Sequence, residues 1–180
     1  MEATIAIAEP DLTRTIASAV AGDDLAFGRI VAAHEVEMHR VCVAVCRDQA
    51  IAADAVQAAW ATAWRKLDSV RDPARLRPWL VSIAVNETRQ LMRKRHRRAQ
   101  VELIVDPSDD TMGVDPATGI DAIDLDAALA RLDPDDRALL AMRYVAGFDA
   151  TELSVAIGLS PSGTRTRLER LLARLRQDLA

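Results

Sequence analysis

Aromatic residues are the scarcest class in this chain of 180 residues. Three Trp, two Phe and one Tyr make up 3% of it, although half of all residues are apolar. A core built from Ala, Leu and Val suits thin, compact helical units rather than a large sheet. Long apolar runs are missing too. No stretch approaches the roughly 20 residues needed to cross a bilayer. The N-terminus also lacks the basic start and apolar core of a signal peptide, so no membrane partner and a cytoplasmic location are expected. There are two cysteines and three histidines. Cys42 and Cys46 lie four apart with His39 before them, and no fourth ligand is near. That pattern fits small core residues on one helix face better than a metal site, and in a reducing compartment no disulfide is expected. Neither a Ser/His/Asp set nor a glycine-rich phosphate loop is visible. The acids around residue 110 lack the turn glycine and ligand spacing of a calcium loop. The expectation is a protein that is not an enzyme and holds neither metal nor cofactor.

What the chain does have is segregated charge. The net of −4 conceals −2 over residues 1–21, +5 over 22–98, −8 over 99–130 and +1 over 131–180. Such segregation points to distinct partners along one chain. Between Asp23 and Cys46 the apolar spacing predicts a long helical stretch, broken at most once. Its inner side carries Phe27, Ile30, Val31, His34, Met38, Val41, Cys42 and Val45. Asp48 caps the next helix, which buries Ile51, Ala55, Val56, Ala59, Trp60, Ala63, Trp64 and Leu67. Its opposite face presents Asp54, Gln57, Ala61 and Arg65. Asp68 to Arg77 reads as a loop. Pro78 opens a further helix with Leu80, Ile83, Ala84 and Leu91 inward. On another face Asn86, Arg89, Arg93 and Arg97 recur at i, i+3, i+7 and i+11. Residues 22–98 form one helical domain in this reading. Residues 99–124 are a flexible acidic linker. Residues 125–180 are a second helical domain, and the fold class is all-α.

Two constellations point to nucleic acid. Arg89, Arg93, Lys94, Arg95, Arg97 and Arg98 lie within ten residues and have no acid between them. A run of this kind is either a solvated helix end or a phosphate-binding face, which gives affinity without sequence choice. Near the C-terminus, Thr151 to Ile157 is followed by Gly158, Leu159, Ser160 and Pro161. Gly158 fits a left-handed helix stop, Ser160 a cap and Pro161 a first helical position. The pair reads as a helix-turn-helix whose second helix projects Ser162, Arg165, Thr166 and Arg170 toward base edges. Two ordinarily packed helices would give the same local pattern.

These motifs, taken in order, resemble a known family. Asp54-Ala55-Val56-Gln57 with Trp60 and Trp64, then Trp79 to Asn86 and the arginine cluster, are similar to region two of a bacterial extracytoplasmic-function (ECF) sigma factor. Leu132-Asp133-Pro134, Arg137, Tyr144, Gly147, Glu152-Leu153 and the helix-turn-helix resemble region four. The resemblance runs from Asp24 to Arg176. On that resemblance neither a first-region extension of the primary type nor anything after the last helix is expected. It implies a protein that binds core RNA polymerase through the β and β′ subunits and directs promoter-specific initiation. By position, Asp54, Gln57, Ala61 and Arg65 would meet β′. Arg75, Arg77, Asn86, Arg89, Gln90, Arg93 and Arg97 would meet the minus-ten element, where a base is flipped from the stack. Ser160, Ser162, Thr164, Arg165, Thr166, Arg167 and Arg170 would serve the minus-thirty-five element. The acidic linker would thread toward the RNA exit path, and an anti-sigma factor is an implied further partner. Gln90, Ser154 and Thr164 depart from the family pattern. The last two are expected to make the helix-turn-helix core more polar and weaken minus-thirty-five binding. Trp79, the one aromatic in the melting stretch, implies limited melting power. A stand-alone helix-turn-helix regulator is the competing reading, and a helical adaptor without DNA contact is a third.

Overall fold

The structure is a computed structural model, and it describes residues 9–105 and 120–179. Among these residues every regular element is helical. They are α1 (Glu9–Val20), α2 (Asp24–Cys46), α3 (Gln49–Lys66), α4 (Leu76–Val105), α5 (Ile120–Arg131), α6 (Pro134–Leu140), α7 (Ala150–Ile157) and α8 (Pro161–Asp178). Aspartate caps set most of the starts. Asp23, Asp48, Asp133 and Asp149 each accept two backbone N–H bonds from the first turn that follows, donors that would otherwise have no partner.

α2 is unbroken through Gly28. It ends on Arg47, the one non-glycine residue with positive φ among the described residues (59°). A left-handed Arg is unfavourable by itself, and here its side chain is held by Asp126 of α5. Ile30, Met38, Val41, Cys42 and Val45 are buried as the spacing predicted. In α3 the buried face is Ala52, Ala55, Val56, Ala59 and Ala63, continued by Leu67 just past the helix. These small residues bring α3 close to α2 and α4. Trp64 departs from the expectation. It is 41% exposed, and it meets Phe27 edge-on (centroids 4.8 Å apart, planes at 77°).

The segment read as a loop from Asp68 to Arg77 contains two single 3₁₀ turns, Leu67–Ser69 and Pro73–Arg75. α4 opens at Leu76, two residues before Pro78. Pro78 still lies in the first turn, where the missing N–H breaks no helical bond. α4 then continues to Val105, past residue 98 where the sequence reading ended it, and α5 begins at Ile120 rather than Leu125. The remainder of the acidic strip, residues 106–119, lies outside the described residues. The helix that opens at Pro134 keeps α-helical geometry only to Leu140. After α6 the chain widens into a π turn, Ala141–Val145, closed by Ala146 N–H donating to the Ala141 carbonyl.

The two halves pack on each other. α4 packs against α7, and α2 against α6 and the π turn. Leu139, Met142 and Phe148 join Val41, Leu80 and Val85 in one continuous buried cluster.

Candidate functional site

Three helix faces carry the residues singled out from sequence. The first is the outer face of α3. Asp54, Gln57, Ala61 and Arg65 are all exposed along it. The opposite side of α3 is all core, which fixes that orientation. Arg65 donates to Thr62 Oγ1 at 3.3 Å. Beside this face runs a groove of about 610 Å³ between α2 and α3, lined by Val36, His39, Gln57 and Trp60 among others. Val36 is 44% exposed in it.

The second face is on α4. Asn86, Gln90, Arg93 and Arg97 are exposed, as is Arg75 on the preceding turn. Arg75 lies 3.5 Å from Asp72. Arg89 differs from its neighbours. Its side chain is 15% exposed and its Nε lies 2.9 Å from Asp135 Oδ1 at the start of α6. Burial pulls the Arg89 guanidinium below its ordinary range, and Asp135 opposes that pull. Arg77 is more committed still. It donates to both oxygens of Glu37, with Nη2 2.6 Å from Oε1. Its Nη1 donates to Glu152 Oε1 at 3.1 Å, and Nη2 also reaches the Ala146 carbonyl. The guanidinium carbon sits 4.6 Å from the centroid of the Phe148 ring, close enough for a cation–π interaction. Burial alone would lower its pKa, but the hydrogen bonds and charge of Glu37 and Glu152 win and raise it. Arg77 and Arg89, expected to face DNA, therefore face the second half of the chain in this conformation.

The third face is the start of α8. Gly158 stops α7 in the left-handed region (φ 71°), Ser160 Oγ accepts from Gly163 N–H at 3.1 Å, and Pro161 is the first helical residue. Ser162, Arg165, Thr166 and Arg170 are exposed. Arg167 is turned aside. It donates to Asp136 Oδ1 through Nη2 at 2.9 Å, and Arg174 binds the other oxygen of the same carboxylate. The Asp136 side chain is 6% exposed. Burial would raise its pKa, yet the hydrogen bonds from Arg167 and Arg174 outweigh burial and hold the carboxyl below the usual range.

Two of the three departures resolve locally. Thr164 is fully buried, but its hydroxyl donates to the Ser160 carbonyl at 3.0 Å. The polar group is satisfied and does not open the core. Ser154 is only half-buried and donates to Thr151 O at 2.6 Å. Neither makes the helix-turn-helix core more polar in the sense expected from sequence. Gln90 is exposed on the α4 face.

Sequence reasoning missed Glu37, Asp135 and Asp136, and saw Glu152 only as part of a motif. Pro134-Asp135-Asp136 does carry a signal, because acids in a first turn suit the helix dipole. That signal could not say that one of them would be buried. Cys42 is buried, with burial pushing its thiol to about 11, and Cys46 is half-buried; both are free. Among the described residues no three His, Cys, Asp or Glu side chains group as metal ligands, and no helix is long and apolar enough to cross a membrane.

Comparison with known proteins agrees with this geometry. Residues 30–98 match the sigma-70 region 2 family and residues 122–175 the sigma-70 region 4 family. The ECF RNA polymerase sigma factor SigM of Mycobacterium tuberculosis is 30% identical over 162 residues, covering 89% of this chain and 80% of SigM. The chain belongs to the ECF sigma factors of the sigma-70 family. A probable RNA polymerase sigma factor of Xanthomonas campestris, RfaY, is 31% identical over 175 residues. This ECF chain spans 42% of that relative's length. The structure of CnrH in complex with the cytosolic domain of CnrY matches with a TM-score of 0.66 at 28% identity, covering 91% of this chain and 94% of CnrH.

Proposed function

We infer that the chain acts as a sigma factor that docks on core RNA polymerase and directs it to promoters carrying its own minus-ten and minus-thirty-five elements. The observation that carries this reading is the division of labour among three exposed faces: α3 with Asp54 and Gln57, α4 with Arg93 and Arg97, and the start of α8 with Arg165 and Arg170. The unit of residues 22–98 serves polymerase and the minus-ten element. The unit of residues 125–180 serves the minus-thirty-five element, with residues 99–124 joining them. Arg165 and Arg170 suit bidentate contact with guanine in the major groove. Arg93 and Arg97 suit phosphate. The chain contributes no bond-making chemistry; it positions the polymerase, and it works in the cytoplasm where the polymerase is. CnrH, a relative of this chain, is seen in complex with the cytosolic domain of CnrY, and a protein partner that covered these exposed faces would act on this chain in the manner of an anti-sigma factor.

A stand-alone helix-turn-helix regulator would account for α8 but has no use for the exposed α3 face. The deciding experiment mixes purified full-length protein with core polymerase. The expected result is a stable complex that initiates from specific promoters in genomic DNA, while the protein alone binds duplex DNA weakly. No retention of core polymerase, together with tight promoter binding by the free protein, would transfer the reading to the regulator.

A further inference from the structure

Asp136 ties down two arginines of the recognition helix, and where they stand gives the tie a consequence for DNA. Arg167, Arg170 and Arg174 fall at i, i+3 and i+7, one stripe of α8. With Ser162 and Thr166 they line a cleft of about 880 Å³, and Asp136 lines it too. The cleft therefore opens on the face expected to read DNA. Arg170 is exposed there. Its two neighbours are held. Asp136 Oδ1 accepts from Arg167 Nε and Nη2 at 3.3 and 2.9 Å, and Oδ2 accepts from Arg174 Nη2. The carboxylate is buried, while both arginine side chains are partly exposed. A fixed acid thus restrains two cations that would otherwise extend into solvent. Both ends of the tie lie within α6 and α8, so it stays with the recognition helix.

An open stripe of three arginines would be indiscriminate. It spans about 10 Å, and a duplex of any sequence offers one phosphate charge per about 1.7 Å of its axis. Phosphate pairing adds affinity without sequence choice. We propose that Asp136 is a positioning residue that sets specificity: it withholds Arg167 and Arg174 from DNA phosphate, so that α8 is retained on a duplex by Arg165 and Arg170 at base edges. This rests on the sigma-factor reading above, in which α8 reads the minus-thirty-five element. The withholding acts unequally on right and wrong sequences. On the right sequence the base contacts fix the register of α8, and a released arginine meets only the phosphate which that register offers. On a wrong sequence the protein is free to shift until the released arginine pairs. At a slope of about 0.9 per phosphate, one such contact gains about eightfold in affinity between 1 M and 0.1 M salt. Release of the arginines therefore favours wrong sequences.

The test uses full-length protein and two duplexes. One carries the minus-thirty-five segment of a promoter that the wild-type holoenzyme transcribes; in the other that segment is scrambled. Fluorescence anisotropy in about 0.1 M salt reads both affinities, and helical circular dichroism confirms that each variant folds. Asp136→Asn should bind the scrambled duplex about eightfold more tightly, the gain of one released contact, and the promoter duplex less than about twofold more tightly. Discrimination then falls about fourfold. The Asp136 backbone N–H bond to Asp133 is untouched by this change. The triple variant, which adds Arg167→Gln and Arg174→Gln, should lose the gain and return to within about twofold of wild type on both duplexes. It leaves no unpaired charge at the tie, and it carries the test alone if the single variant fails to fold. Equal gains on the two duplexes overturn the proposal, as does no gain on the scrambled one. So does a loss of promoter affinity in the triple variant, because the arginines would then touch DNA in the wild type. Absence of transcription by the wild-type holoenzyme would instead mark failure of the sigma-factor reading; a duplex enriched by the free protein from a random pool then replaces the promoter duplex, and the same ratios decide.

Discussion

Replacing Asp136 with Asn isolates one carboxylate that ties α6 to the recognition helix. Asp136 is 6% exposed and binds Arg167 and Arg174, whose side chains are 39% and 61% exposed. A hydrogen bond to a charged group contributes about 1.5–3 kcal/mol. Both arginines can turn to water, so neither is left as a buried unpaired charge, and each bond belongs at the low end of that range. Asn keeps one acceptor oxygen and so recovers part of one bond, and relief from burying a carboxylate offsets a little more. The net expectation is a loss of roughly 2 kcal/mol, or about 4–8 °C in Tm for a chain of this size. Acidity supplies an internal control. The Asp136 pKa is depressed in the folded state. Its contribution is therefore present above the unfolded carboxylate value of about 3.9 and is lost as pH falls below that. The Tm gap between wild type and variant should be full at pH 7 and close on acidification below about pH 4. DNA binding supplies a second readout. Freed from Asp136, Arg167 can reach phosphate, and one added contact steepens the slope of log K against log salt by about 0.9. Calorimetry showing a Tm within about 1 °C of wild type at pH 7, with an unchanged salt slope, would refute the reasoning.

Other faces make separate predictions. Asp54→Arg should leave Tm unchanged, because the residue is exposed, and lower affinity for core polymerase at least about tenfold by charge reversal at a docking face; unfolding of the variant would show that the face was misassigned. Arg165→Ala should weaken minus-thirty-five binding by about 1–3 kcal/mol and relax choice at one base position, whereas equal loss on unrelated duplexes would make Arg165 a phosphate contact. His34 sits by Glu37 and Arg77, and burial holds its pKa below 6.5, with Glu37 opposing and Arg77 assisting. Its folded value being lower than its unfolded one, stability is greatest above pH 6.5 and falls as pH drops below it. His34→Gln should flatten that decline in Tm between pH 7.5 and 5.5; equal declines in both proteins would remove His34 from the account.

The helices were legible because their spacing and caps are local. Asp48, Gly158, Ser160 and Pro161 do what their residue types do at such positions, and the exposed side of α3 follows from its alanine-rich buried side. What could not be read is set by partners far along the chain. Nothing near Arg77 announces that Glu152 and Phe148 will take up a residue expected at the promoter. Thr164 looked like a polar fault because its remedy, the Ser160 carbonyl, belongs to backbone geometry rather than to composition. Trp64 followed the apolar stripe, yet it lies in the last turn of α3, where it is left 41% exposed with its edge against Phe27. The acids of α6 are adjacent, yet Asp135 looks across to α4 and Asp136 back to α8. A helix separates neighbours by about 100°, and which of two faces meets which helix is decided by packing.

The π turn at Ala141–Val145 has a consequence for how this region can vary. Its wide loop holds one residue more than an α-helical turn would, and that extra residue sets the phase of everything after it. Ala146 and Phe148 come next, presenting a carbonyl and a ring to Arg77. Removing a single residue between 141 and 145 would restore a regular turn and swing both groups by about 100°. Substitutions here should be tolerated according to their burial, whereas a one-residue deletion should separate the two halves of the molecule while leaving each folded.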